Sequence, residues 1–202
     1  MKKLTLILAL ATVSAAGFSQ NNNDKIPADP IEQSKFSIGV KGGFGHSFVI
    51  PYKNYIFNSS WDAGLSMMYA PGVHWGVGAD VLYSAEGTSL KTEGVTYATK
   101  LDYVRVPIKA TYFFRKYEDD FRPKVSLGPT VGFMVNDHGN KGFQTFDFGA
   151  SAALGFNYRL LRAVWFNADV TYNQGFLDIY HSNSETDLNG NVRLDLGFSF
   201  GF

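Results

Sequence analysis

The sequence predicts an all-β fold, an eight-stranded antiparallel up-and-down transmembrane β-barrel. Three observations predict it. From Phe36 to Phe202, eight segments alternate apolar and non-apolar residues with period two. The connections between them alternate long and short. One face of the alternation carries large aromatic and aliphatic residues almost without charge. The other carries glycine, serine and charges of both signs.

The first segment sets Phe36, Ile38, Val40, Gly42 and Phe44 against Ser37, Gly39, Lys41 and Gly43. The second sets Ala63, Leu65, Met67 and Tyr69 against Gly64, Ser66 and Met68. The third runs Trp75, Val77, Ala79, Val81 and Tyr83 against Gly76, Gly78, Asp80 and Ser84, with Leu82 an exception. In the fourth, Val104 to Phe114 at even positions oppose Tyr103, Arg105, Pro107, Lys109 and Thr111. The fifth spans Lys124 to Phe133, with Val125, Leu127, Pro129 and Val131 apolar. The sixth spans Phe146 to Asn157, the seventh Val164 to Asn173 with Trp165 an exception, and the eighth Val192 to Phe202.

Long connections are expected at His46–Ser60, Ala85–Lys100 and Gly175–Asn191, with a moderate one at Asn136–Lys141. Tight turns are expected at Pro71–Val73, Lys116–Asp120 and Arg159–Arg162. Long loops at one end and short turns at the other are the plan of an outer-membrane barrel. Period alone does not say which face is inside, and a secreted lipocalin-type barrel is the alternative. Side-chain size decides between them. An eight-stranded interior is just wide enough to be filled by side chains. Glycine, serine and mutually neutralising charges fit there, and the large aromatics fit against lipid. Trp61, Tyr69, Trp75, Tyr83, Tyr112, Phe114, Tyr158 and Tyr172 then form girdles at the two interfaces.

The start of the chain sets the compartment. Lys2 and Lys3 precede a largely apolar run, Leu4–Val13, and small residues follow at Ser14–Ser19. Residues 1–19 read as a secretory signal peptide, too short to span a bilayer, with cleavage after Ser19 and Ala16 as the competing site. No cysteine follows the run to carry a lipid anchor. Residues 20–35 are polar and turn-forming and read as a flexible periplasmic lead-in. The remainder, 36–202, is the barrel. The chain has 18 Phe, 11 Tyr, 21 Gly and no cysteine, so disulfides and thiol chemistry are excluded. A net charge of zero argues against a nucleic-acid partner.

Short stretches in this order resemble the PorT-like outer-membrane β-barrel family, small barrels of the OmpA/OmpX kind, over roughly Phe36 to Phe202. The carriers are Phe36-Ser37-Ile38-Gly39-Val40-Lys41-Gly42-Gly43, Leu82-Tyr83-Ser84-Ala85-Glu86-Gly87 and Tyr103-Val104-Arg105-Val106-Pro107-Ile108-Lys109. Leu127-Gly128-Pro129, Phe148-Gly149 and Leu154-Gly155 continue the series. Arg105 stands where the family pattern has an acidic residue. The resemblance implies a bacterial outer-membrane location and a link to protein secretion in some members. Phe202, ending an alternating strand, resembles the signal read by the barrel-insertion machinery.

Four bases (Lys41, Arg105, Lys109, Arg193) and four acids (Asp80, Asp147, Asp169, Asp195) are expected to pair across the lumen, leaving Lys124 near a periplasmic end. Such pairs plug a barrel, whereas open channels need about 16 strands. His46, His138 and His181 fall in expected outer loops and His74 in a turn, none in a catalytic motif. Asp187-Leu188-Asn189-Gly190-Asn191 holds part of a calcium-loop pattern without the full ligand set. No catalytic, cofactor-binding or metal residue is assigned. The expected function is non-enzymatic: a barrel embedded in outer-membrane lipids whose loops Ser47–Ser60, Glu86–Thr99 and Phe176–Asn191 meet a protein partner or shield the surface. A narrow solute or ion channel, a lipid-modifying enzyme and a soluble ligand binder are the alternatives.

Overall fold

A computed structural model describes residues 35–50, 55–92, 95–180 and 187–201. Residues 1–34, His181 and Phe202 lie outside them, and with them the signal peptide, the lead-in and the insertion signal. The strands are β1 (Phe36–Ile50), β2 (Tyr55–Ile56), β3 (Asn58–Tyr69), β4 (Trp75–Thr92), β5 (Val95–Phe113), β6 (Phe121–Asn136), β7 (Phe146–Leu161), β8 (Val164–Asp178) and β9 (Leu188–Gly201). Each long strand pairs antiparallel with its neighbour, and β1 pairs with β9 to close the ring. The two-residue β2 is a side piece on β4, so the closed wall has eight strands. Closure leaves no sheet edge, a requirement for β structure in lipid.

The apolar face is the outer one. Val40, Leu127, Leu154, Val170 and Leu194 are all more than half exposed, while Asp80, Thr111, Asn191, Arg193 and Asp195 are buried. A lipocalin-type barrel has the opposite polarity. The two breaks in the alternation have a simple cause. Leu82 and Trp165 sit at inward positions and are only 1% and 4% exposed, so they are apolar fillers of a polar lumen.

Both described chain ends and the turns 70–74, 114–120 and 162–163 lie at one end, here the turn end. The opposite, loop end differs from the sequence expectation. The long loops are largely strand: β1 continues to Ile50, and β4 and β5 run on as a hairpin to Thr92 and Val95. Polar strand outside a membrane has no reason to alternate apolar residues, so period two is lost there although the ladder continues. A tilted strand needs about 9–11 residues to cross the hydrocarbon. At 18 and 19 residues, β4 and β5 exceed that and project beyond their neighbours.

Two prolines interrupt the wall. Pro107 and Pro129 have no N–H to donate. The β4–β5 ladder skips Asp80 and Val81, and the β5–β6 ladder skips Ile108 and Lys109 beside them.

Candidate functional site

The lumen is built from inward residues of all eight long strands. Arg105 of β5 donates to Glu86 of β4 from Nε at 2.5 Å and Nη2 at 2.8 Å. Its Nη1 lies 2.9 Å from Asp147 of β7. Lys109 donates to Asp80 at 2.6 Å, and Lys41 bridges Asp80 at 3.3 Å and Asp195 at 3.0 Å. Arg193 lies 2.6 Å from Asp62 and 3.5 Å from Asp195, and Lys124 donates to Asp169 at 3.1 Å. Every expected interior charge is therefore paired, Lys124 included, which corrects its placement as a leftover. The network also uses Asp62 and Glu86, one outside the alternating run and one in a supposed loop. Burial of so many charges is tolerable because each has a counter-charge.

At the loop end the described residues form an apolar cluster. Val49, Leu101 and Tyr103 point inward and meet Phe143 and Ile179 from the neighbouring loops. The Phe143 segment is latched outside the wall at Asp102. This carboxylate stands between the inward Leu101 and Tyr103, on the outer side of β5, at a bulge against β6. It accepts from Tyr83 Oη at 2.6 Å and Asn136 Nδ2 at 3.3 Å, and His138 Nε2 lies 2.9 Å away. Contact with a carboxylate requires Nε2 to carry a proton. His138 adopts a left-handed backbone, φ 51°, which costs a non-glycine residue about 1 kcal/mol.

The turn end is capped by arginine and aromatic groups. The Arg159 guanidinium lies 4.2 Å from the Trp165 ring centre and 4.8 Å from that of Tyr117, whose carbonyl it also meets. Arg122 lies 4.1 Å over Phe113 and donates to the carbonyls of Val73 at 3.0 Å and Arg115 at 3.4 Å. Between this cap and the ion pairs is a polar cavity of about 80 Å³, whose lining extends to the turn end at Ser37, Tyr117 and Gly201. Sequence reading missed the cap. Its signal was the inward Trp165 together with two arginines at strand ends.

The described histidines, His46, His74 and His138, stay apart. His46 lies within β1 rather than in a loop, between Phe44 and Phe57. His74 contacts the Phe113 carbonyl through Nδ1 at 2.8 Å and stacks on Tyr112. The calcium-like stretch opens β9 instead: Asn189 donates to Glu86 at 2.7 Å, and Asn191 accepts from Ser60 at 3.3 Å. Among the described residues no group of three or more His, Asp or Glu side chains could hold a metal.

A closed eight-stranded wall, apolar outside and ion-paired inside, has a counterpart among known sequences. The profile of the outer membrane protein beta-barrel domain family matches residues 18–181, most of the chain. The protein belongs to that family. Its home is thus the bacterial outer membrane, where the turn end faces the periplasm and the loop end the exterior. No curated protein sequence matches the chain. Among solved structures, the family fold is shared by OprG of Pseudomonas aeruginosa at 16% identity and TM-score 0.56, covering 86% of this chain and 99% of that one. Neisserial surface protein A has 15% identity and TM-score 0.57, with 84% and 98% covered. AlkL, solved in lipid bilayers, has 15% identity and TM-score 0.52, with 90% and 97% covered. At such identities the likeness is one of fold. Within the family fold, the outward aromatics of this chain form interface clusters: Trp75, Tyr112 and Phe114 on the periplasmic side, and Trp61 with Tyr83 on the other.

Proposed function

We propose that this outer-membrane barrel is non-enzymatic and acts through its extracellular rim, where it binds a protein partner or shields the surface. The observation that carries the reading is the filled lumen. Ion pairs occupy its middle, and Phe143 and Ile179 pack over its outer mouth. The β4–β5 hairpin, by contrast, projects from the same end. A rigid platform that presents polar strand to the exterior is suited to recognition. The resemblance to PorT-like barrels adds a setting, secretion of proteins across the outer membrane.

The test is site-specific cross-linking in intact cells, with the photoreactive group at Lys100 on the hairpin and, as control, at the lipid-facing Leu127. A discrete adduct from Lys100 that Leu127 does not form fits the reading. Equal or no adducts from the two positions, together with steady ion conductance of the purified protein, favour a channel instead.

A further inference from the structure

The polar cavity above the periplasmic cap has more hydrogen-bond donors than its own carboxylates use. Lys109 and Lys124 each give one ammonium hydrogen to a carboxylate, Asp80 and Asp169 respectively, out of three available. Arg122 adds a guanidinium that is only 4% exposed. Its hydrogen bonds go to two backbone carbonyls, and among the described residues no carboxylate lies within ion-pair distance of it. Lys41, Lys109, Lys124 and Arg122 thus line one cavity against Asp169 and Asp195, with Asp80 shared by two of the lysines. Around the cavity four positive charges face three negative ones, and the turn carboxylates Glu118 and Asp119 attract Arg122 from farther off without pairing with it. Burial without full compensation is costly for a cation, and a bound counter-ion removes that cost.

We propose that this cavity binds a small oxyanion, a carboxylate or phosphate group, that enters from the periplasm. Arg122 is the principal ligand, and its planar fork matches two oxygens at once. Phe113 beneath the guanidinium fixes its plane, and the Val73 and Arg115 carbonyls hold its Nη2 and Nε. Lys124 and Lys109 supply further donors from the neighbouring strands β6 and β5. The unpartnered Oδ1 of Asp169 repels an anion, so the oxyanion sits toward Arg122 and away from β8. Because the Arg105 ion pairs and the Phe143–Ile179 cluster lie between it and the exterior, the site binds without passing its ligand on. This goes beyond the rim function and does not depend on it.

Trp165 lines the same cavity and reports on it, whereas Trp61 and Trp75 are exposed on the outer wall. The experiment uses the full-length mature barrel in lipid nanodiscs carrying Trp61→Phe and Trp75→Phe, so that Trp165 is the sole tryptophan. Its emission is titrated with inorganic phosphate and with acetate, at ionic strength held constant with chloride. The expected result is a saturable change with at least one of the two, weakened about tenfold or more by Arg122→Gln, since a hydrogen-bonded charge is removed. Lys124→Gln, which keeps a donor for Asp169, is the second variant and is expected to weaken binding too. Heat-modifiable gel mobility confirms that each variant is folded. No saturable change with either anion in the parent overturns the proposal, whatever the variants do. A change of equal size in both folded variants overturns it as well and marks the effect as surface screening.

Discussion

Arg105 reaches Glu86 with two hydrogen bonds although the ladder sets Arg105 opposite Leu82 and Glu86 opposite Leu101. The guanidinium therefore climbs four residues along the wall and ties the projecting part of the β4–β5 hairpin to the membrane-spanning part. Asn189 of β9 holds the same carboxylate from across the lumen at 2.7 Å. The outer platform is thereby fixed to the barrel interior.

Replacing Glu86 by Leu leaves Arg105 with Asp147 alone. Breaking one side of a buried ion pair costs about 3–5 kcal/mol. The urea midpoint of the folded, heat-modifiable band in lipid vesicles is expected to fall accordingly. Glu86→Gln keeps an acceptor for Arg105 and is expected to lose clearly less.

Gly43 gives the Asp62–Arg193–Asp195 cluster its space. A Cβ there stands 2.7 Å from Asp62 Oδ1 and closer still to Asp195 Oδ1. The neighbouring Gly42 faces outward, and its nearest contact is the Asp62 carbonyl at 3.4 Å. Gly43→Ala is expected to lower the yield of folded barrel and its urea midpoint. Gly42→Ala is expected to stay within about 0.5 kcal/mol of the parent.

Leu154, in the middle of β7, is 65% exposed on the outer wall. If that wall faces lipid, Leu154→Arg is expected to destabilise by about 2–4 kcal/mol in vesicles, the cost of a cation at mid-bilayer. An unchanged midpoint contradicts a lipid-facing position.

His138 joins the extracellular loop 137–145 to Asp102, and Phe143 plugs the mouth from the same loop. His138→Ala is expected to speed amide exchange across this loop, with little effect on the urea midpoint of the barrel. Exchange confined to the parent rate indicates that Phe143 alone holds the loop.

The barrel was legible because lipid imposes a period on each crossing strand: Val192, Leu194, Leu196 and Phe198 leave little choice of face. The nine inward charges were legible for the same reason. Their pairing was not. Alternation gives the wall on which a charge stands, while strand stagger decides which level it reaches, so the Arg105–Glu86 and Lys124–Asp169 pairs emerge only in three dimensions. Asp62 was missed because it precedes the first residue of the recognised run, between Trp61 and Ala63, and Glu86 because Gly87 and the polar residues after it end the alternation. Asp102 was hidden by a bulge, since it keeps an outward position and yet is buried by Tyr83, Asn136 and His138. The periplasmic cap combines Tyr117 from a turn with Trp165, an apparent break in a strand, and neither signals the other in one dimension.

Ion conductance in planar bilayers tests the central claim most directly. Insertion is confirmed first, by heat-modifiable mobility of the protein recovered from the same vesicles. A lumen filled by ion pairs and packed with Phe143 and Ile179 toward the exterior predicts no steady conductance above that of the bare bilayer. Stable ohmic steps from correctly folded protein contradict it, and would move the function from the rim to the pore.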